Sequence, residues 1–187
     1  MSDVLVRHKL DVDANYRMAE AGILGPDARV ELIDGEIIDM APIDPDHAAT
    51  VNGLNEALVL AFAGRAIVSV QNPVRIDRLN EPEPDFAVLR SRADKYRVGG
   101  HAGPADVLLL IEVADSSLRF DRTVKLPLYA RAGIAESWLI DLTRRVLEVH
   151  RRPQDDGYAN HTTYAPGDTV VLALAPDIAL RLSGVFD

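Results

Sequence analysis

The sequence predicts a mixed α/β (α+β) fold, a central sheet flanked by few helices, and three observations predict it. Residues 107–113 form an apolar run without alternation, the pattern of a strand buried on both faces. Residues 44–63 place Val51, Leu54, Leu58 and Ala61 at helical spacing, which makes them the longest helix. Residues 29–40 set Asp34-Gly35 between two apolar runs, the signal of a hairpin with a two-residue type I′ turn.

Taken in order, residues 11–22 read as a short first helix, with Asp11 or Asp13 as its cap and Gly22 as its stop. In the hairpin, the Asp34-Gly35 turn pairs Ile33 with Glu36 and Glu31 with Ile38, so both glutamates lie on one face. Asp44 or Asp46 caps the long helix, and Gly64 ends it. Residues 66–70 and 74–77 are strand-like, with a break at Asn72-Pro73, and a strand opening at Asp85 follows. Residues 90–104 are polar and glycine-rich, which reads as a loop or lid. After the 107–113 strand comes a short helix ending near Gly133. Pro127 argues that it begins close to Val124, since proline is best tolerated in a first turn. Residues 137–141 and 146–150 make another strand pair. The tail carries β signals at 169–172 and 178–182, with turns at Pro166-Gly167 and Ala175-Pro176. The organisation is one domain over 1–187: an N-terminal helix and hairpin (11–40), a core (44–141) and a C-terminal β extension (142–187).

Composition narrows the function. At 48% apolar and 26% charged, 187 residues suffice for a true core. No apolar stretch approaches a membrane span, and the first ten residues carry charge where a signal peptide would be apolar. The absence of cysteine excludes disulfides and thiolate metal sites and fits a cytoplasmic setting. A net charge of −9 disfavours strong nonspecific binding to nucleic acid, unless a local basic face or a metal offsets it. No Walker-type glycine-rich loop is present, which argues against nucleotide-triphosphate motors.

The chemistry gathers at Glu112, the acid near the end of the buried run. A buried carboxylate must be paired, hydrogen-bonded, protonated or bound to a metal. An antiparallel pairing of the two runs sets Asp85 opposite Glu112, Ala87 opposite Leu110 and Leu89 opposite Leu108. Directly opposed side chains sit about 5 Å apart, so the two acids repel unless a cation joins them. Mg²⁺ prefers such oxygens, and the Val113 carbonyl offers a third ligand. Lys125 sits near the predicted start of the next helix, where a cation is mildly unfavourable, and the acids at the strand end would reward it. Plainer roles also exist. Glu31 and Glu36 suit solvated hairpin charges, His47 a first-turn residue, Tyr129 packing, Trp138 core, and Asp121 with Arg122 a local cap.

The order Glu31, Asp34-Gly35-Glu36, His47, Pro84-Asp85, Glu112-Val113, Asp121-Arg122, Lys125, Tyr129, Gly133-Ile134, Glu136 and Trp138 resembles the Uma family of endonucleases, within the restriction-endonuclease-like PD-(D/E)XK superfamily. The resemblance runs from Asp11 onward and is most specific between Lys125 and Trp138. It implies a restriction-endonuclease-like core, Mg²⁺ with Mn²⁺ as a substitute, and hydrolysis of DNA phosphodiester bonds. Asp85 matches the acid of the Pro-Asp motif and Glu112 the acid of the (D/E)XK motif. The lysine expected two residues after Glu112 is Ala114, and Lys125 on the following helix is its natural substitute. The upstream glutamate of the superfamily site corresponds to Glu36, in preference to Glu31. His47 and Tyr129 are candidates for lining the site, and a homodimer follows by analogy with nucleases that cut two strands. Two other readings stand beside this one. One is a domain that keeps the fold but has lost catalysis, acting as a binding or oligomerisation module, for which Ala114 and the acidic charge speak. The other is a hydrolase of small phosphorylated molecules.

Overall fold

The structure is a computed structural model that describes residues 6–186. Residues 1–5, half of the charged N-terminal stretch read above, lie outside the described residues, as does Asp187. Helix α1 (Val12–Glu20) is capped by Asp11, whose carboxylate accepts the Ala14 N–H. Strands β1 (Val30–Ile33) and β2 (Glu36–Asp39) form the hairpin in the expected register, with Glu31 opposite Ile38 and Ile33 opposite Glu36. Asp34 and Gly35 have φ of 50° and 68°, as a type I′ turn requires. Gly35 is fixed twice over, because a Cβ there would sit 2.9 Å from the Leu10 carbonyl oxygen. Helix α2 (Pro45–Phe62) is capped by Asp44 and ends in Ala63, which itself takes the left-handed conformation ahead of Gly64.

A six-stranded mixed sheet forms the centre. Its strands are β3 (Ala66–Val70), β4 (Phe86–Arg90), β5 (Val107–Ala114), β6 (Glu136–Asp141), β7 (Val146–Gln154) and β8 (Gly157–Tyr164), in that spatial order. All neighbours are antiparallel except β5 and β6. That parallel pair is central and buried along nearly its whole length, which is why the 107–113 run shows no alternation. Strands β7 and β8 continue the sheet beyond Asp141. Strands β9 (Thr169–Leu172) and β10 (Ala175–Arg181) make a separate hairpin.

Apolar cores lie on both faces of the sheet. On one, Leu54, Leu58 and Phe62 of α2 and Leu180 of β10 pack with Val88, Leu109, Ile111 and Trp138. On the other, Ile33 of the hairpin packs with Ala87, Leu110 and Leu139 and with the helical segment that links β5 to β6.

Four sequence readings need correction. Residues 74–77 are not a strand; they belong to an excursion whose backbone bonds go to Ala102, Pro82 and Asn80. Leu89 pairs with Val107 rather than Leu108, because a bulge interrupts the β4–β5 ladder there. The last turn falls at residues 173–174, and β10 already begins at Ala175. The helix after β5 starts well before Val124. Helix α3 (Leu118–Phe120) runs through a π-helical turn (Asp121–Lys125) into α4 (Leu126–Arg131). Within it the Leu126 N–H reaches back to the Asp121 carbonyl. Lys125 therefore sits inside a helical segment, not at its N-terminus.

Candidate active site

Five segments meet at one end of β5. Asp85 immediately precedes β4, and its Oδ2 accepts the Val113 N–H at 2.8 Å. Its Oδ1 accepts Gln71 Nε2 at 3.2 Å and lies 3.2 Å from Nε2 of His47. His47 stands in the first turn of α2, where Asp44 also accepts its backbone N–H. Burial pushes the Asp85 carboxyl up. The His47 hydrogen bond and charge, the Val113 N–H and Gln71 more than reverse this, so it ends below the usual carboxylate range. His47 is raised, first by its hydrogen bond to Asp85, with a smaller contribution from the Val113 backbone.

Glu112 is 4% exposed and lies in β5 on the face covered by the π-turn and α4. It accepts the Tyr129 hydroxyl at 2.5 Å and lies 3.3 Å from Lys125 Nζ. Burial drives its carboxyl well above the ordinary range, against the lowering effect of Lys125, and Asp121, Asp85 and Glu31 push the same way. Lys125 makes its shortest ion pair with Glu31, at 2.9 Å, and has Asp121 at 3.9 Å. Burial alone would lower the lysine, but the charges of Glu112, Glu31 and Asp121 outweigh it and hold the ammonium form. Asp121 accepts the Ser117 hydroxyl at 2.6 Å.

The upstream glutamate brought into this cluster is Glu31, not Glu36. Glu31 is 5% exposed and accepts the Glu83 N–H. The Leu32–Glu81 bridge lays the 81–83 segment along β1 and makes that contact possible. Glu36 sits by the turn, half exposed, near Lys9 and Arg7. Both glutamates occupy one face by register, but only one is covered. Tyr129 does more than pack, since it holds Glu112. Ala114 is fully buried and offers the site nothing. Sequence reasoning missed Asp121 as a partner of Lys125, although their i,i+4 spacing was visible. It also missed Gln71 and Glu83, whose roles depend on contacts made across the fold, and Ser117, which bonds locally to Asp121.

These side chains line a cavity of about 270 Å³. Eight carboxylates line it against the cations Arg29 and Lys125, with His47 in addition. All-oxygen donors in such excess suit a hard divalent cation. Asp85, Glu112 and the Val113 carbonyl would hold it, with Glu31 beside them.

The fold and sequence have recognisable relatives. The chain matches the family Uma2, described as "Putative restriction endonuclease", over residues 13–183. It is similar to a crystal structure from Anabaena variabilis described as "a putative nuclease belonging to DUF820". The TM-score is 0.64 at 18% sequence identity, covering 84% of this chain and 89% of that one. No curated protein matches the chain. The family match takes in almost the whole of the 187 residues, and the chain is a member of the Uma2 family on a restriction-endonuclease-like fold.

Proposed function

We propose that the chain is a Mg²⁺-dependent endonuclease that hydrolyses DNA phosphodiester bonds. The observation that carries this reading is the convergence of Asp85, Glu112, Glu31 and Lys125 on one acidic cavity. A divalent ion bound there would supply the positive charge that activates water and offsets charge on the phosphoryl oxygens. The chain's residues set the geometry. Tyr129 fixes Glu112, the Val113 N–H and Gln71 fix Asp85, and Glu31 holds the Lys125 ammonium. Lys125 acts as a donor that orients the attacking water or stabilises the charge gathering on phosphate. Cutting both strands of a duplex calls for two such sites, and a homodimer supplies them.

The test is cleavage of single-stranded, duplex and branched DNA with Mg²⁺ or Mn²⁺. Wild type cuts in a metal-dependent way, and Asp85→Ala lowers the rate by more than about 100-fold. Equal inactivity of the two on every substrate overturns the proposal. One observation favours a non-catalytic module instead: Lys125 already satisfies three buried acids as a resident cation. Calorimetry separates the two readings, since a module of that kind takes up no Mn²⁺ at about millimolar metal.

A further inference from the structure

A second cluster lies on β7 and β8, and none of its members lines the acidic cavity. Glu148 and His150 are two residues apart on β7 and share a face. His161 on β8 stands directly opposite His150. The two imidazoles stack with centroids 4.7 Å apart and planes 17° from parallel. Glu148 Oε2 lies 3.6 Å from His150 Nε2 and 3.8 Å from His161 Nε2. One donor atom from each of the three residues falls within 4.8 Å of the others.

These separations are too long for hydrogen bonds. They approach the spacing of two ligands on one ion, since bonds of about 2.0 Å in a tetrahedron put donors roughly 3.3 Å apart. His150 Nε2 is buried without a hydrogen-bond partner, a state that costs free energy unless something fills it. Glu148 is also buried, and Arg122 donates to its Oε1 at 2.8 Å, as an outer partner that orients a metal-binding carboxylate would. Arg122 Nε reaches Oε2 at 3.3 Å, leaving that oxygen a second lone pair.

We propose that Glu148, His150 and His161 form a site for a borderline divalent ion of the Zn²⁺ class, separate from the acidic cavity. Two imidazole nitrogens and one carboxylate select such an ion over Mg²⁺, and the fourth position stays open to water. The site bridges the outermost strand pair of the sheet. Through Glu148 it also touches Arg122, which belongs to the same π-turn as Asp121 and Lys125.

The test uses the full chain without a histidine tag, stripped with EDTA, in an Asp85→Asn background that weakens the acidic cavity. Zn²⁺ is titrated by calorimetry and Co²⁺ by visible absorption. The expected result is uptake of one ion, with the d–d bands of nitrogen-ligated Co²⁺ and no displacement by excess Mg²⁺. His161→Gln, on a half-exposed edge position, weakens binding by more than ~10-fold, at least the loss that removing an outer-shell partner brings. As a second readout, Zn²⁺ raises the melting temperature of the parent but not of His161→Gln or His150→Gln. Unchanged Zn²⁺ binding in both histidine variants overturns the proposal, and so does no uptake by the parent at about 100 µM Zn²⁺.

Discussion

His47 and Asp85 hold each other, and the directions of their shifts fix a pH window. Asp85 is lowered in the folded state, so its contribution is present above the unfolded carboxyl value and is lost as pH falls through the folded one. His47 is raised, so its contribution is present below the unfolded imidazole value and is lost as pH rises through the folded one. The pair stabilises fully between roughly pH 4 and pH 6.5. In EDTA, His47→Gln lowers the melting temperature by about 3 °C near pH 5.5, which is roughly 1 kcal/mol, and by much less near pH 9. An equal drop at both pH values would contradict this. The two hairpin glutamates make a second contrast. Glu31→Gln slows metal-dependent DNA cleavage by about 100-fold, whereas Glu36→Gln stays within roughly twofold, as expected of an exposed charge. Comparable losses would return Glu36 to the site. Asp85 and Glu112 were legible as candidates because each is an acid at the end of an apolar strand run, whereas Lys125 was singled out by the family resemblance and by a helix start that the structure places earlier. The choice between Glu31 and Glu36 was not legible, because it turns on the 81–83 segment, some fifty residues further along the chain.

At the scale of elements, helix α2 shows a local preference overruled by packing. Gly53 lies inside it, where alanine would be favoured by about 1 kcal/mol. A Cβ at that position would come within 2.7 Å of the Gly184 carbonyl oxygen, and a backbone atom cannot give way cheaply. Gly53→Ala therefore destabilises, by about 1–3 kcal/mol in urea unfolding, despite its better propensity. A stabilised variant would show that the tail moves freely. Most strands and both long helices follow from period and caps, as at Asp11, Asp44 and the Asp34-Gly35 turn. The failures include the bulge beside Leu89, the supposed strand at 74–77, the late placing of the last turn and the early start of the helical segment after β5. The bulge has no periodic signature, since it is a single-residue departure from a regular ladder. Pro127 misled because a first-turn proline and a proline following a π-turn look alike in sequence.

For the whole molecule, charge bears on the proposed function. The chain carries −9, and acids dominate the proposed cleft. On that proposal, a phosphate backbone approaching it would meet repulsion that a bound divalent ion would offset. Fluorescence anisotropy with a non-cleavable duplex should show binding at least ~10-fold weaker in EDTA than in Ca²⁺. Binding that is equally tight without metal would point to a basic surface elsewhere. The sheet and its flanking layers were legible as a class, but the charge arrangement was not, because composition reports a sum and the cleft is a selection from it.

The π-turn has a consequence for descent. Such a turn is an α-helical turn holding one additional residue. Removing one, for example Thr123, whose hydroxyl donates to the Arg119 carbonyl, rewinds the segment into continuous α-helix. Because the wider turn absorbs the extra residue, the flanking turns keep their phase, and the change falls on the turn itself. Lys125 would then follow Asp121 by three residues instead of four, and their ion pair and the Arg122–Glu148 contact would be rebuilt around a tighter turn. A change of one codon is then enough to loosen or assemble this corner of the cleft while the sheet beneath it is inherited intact.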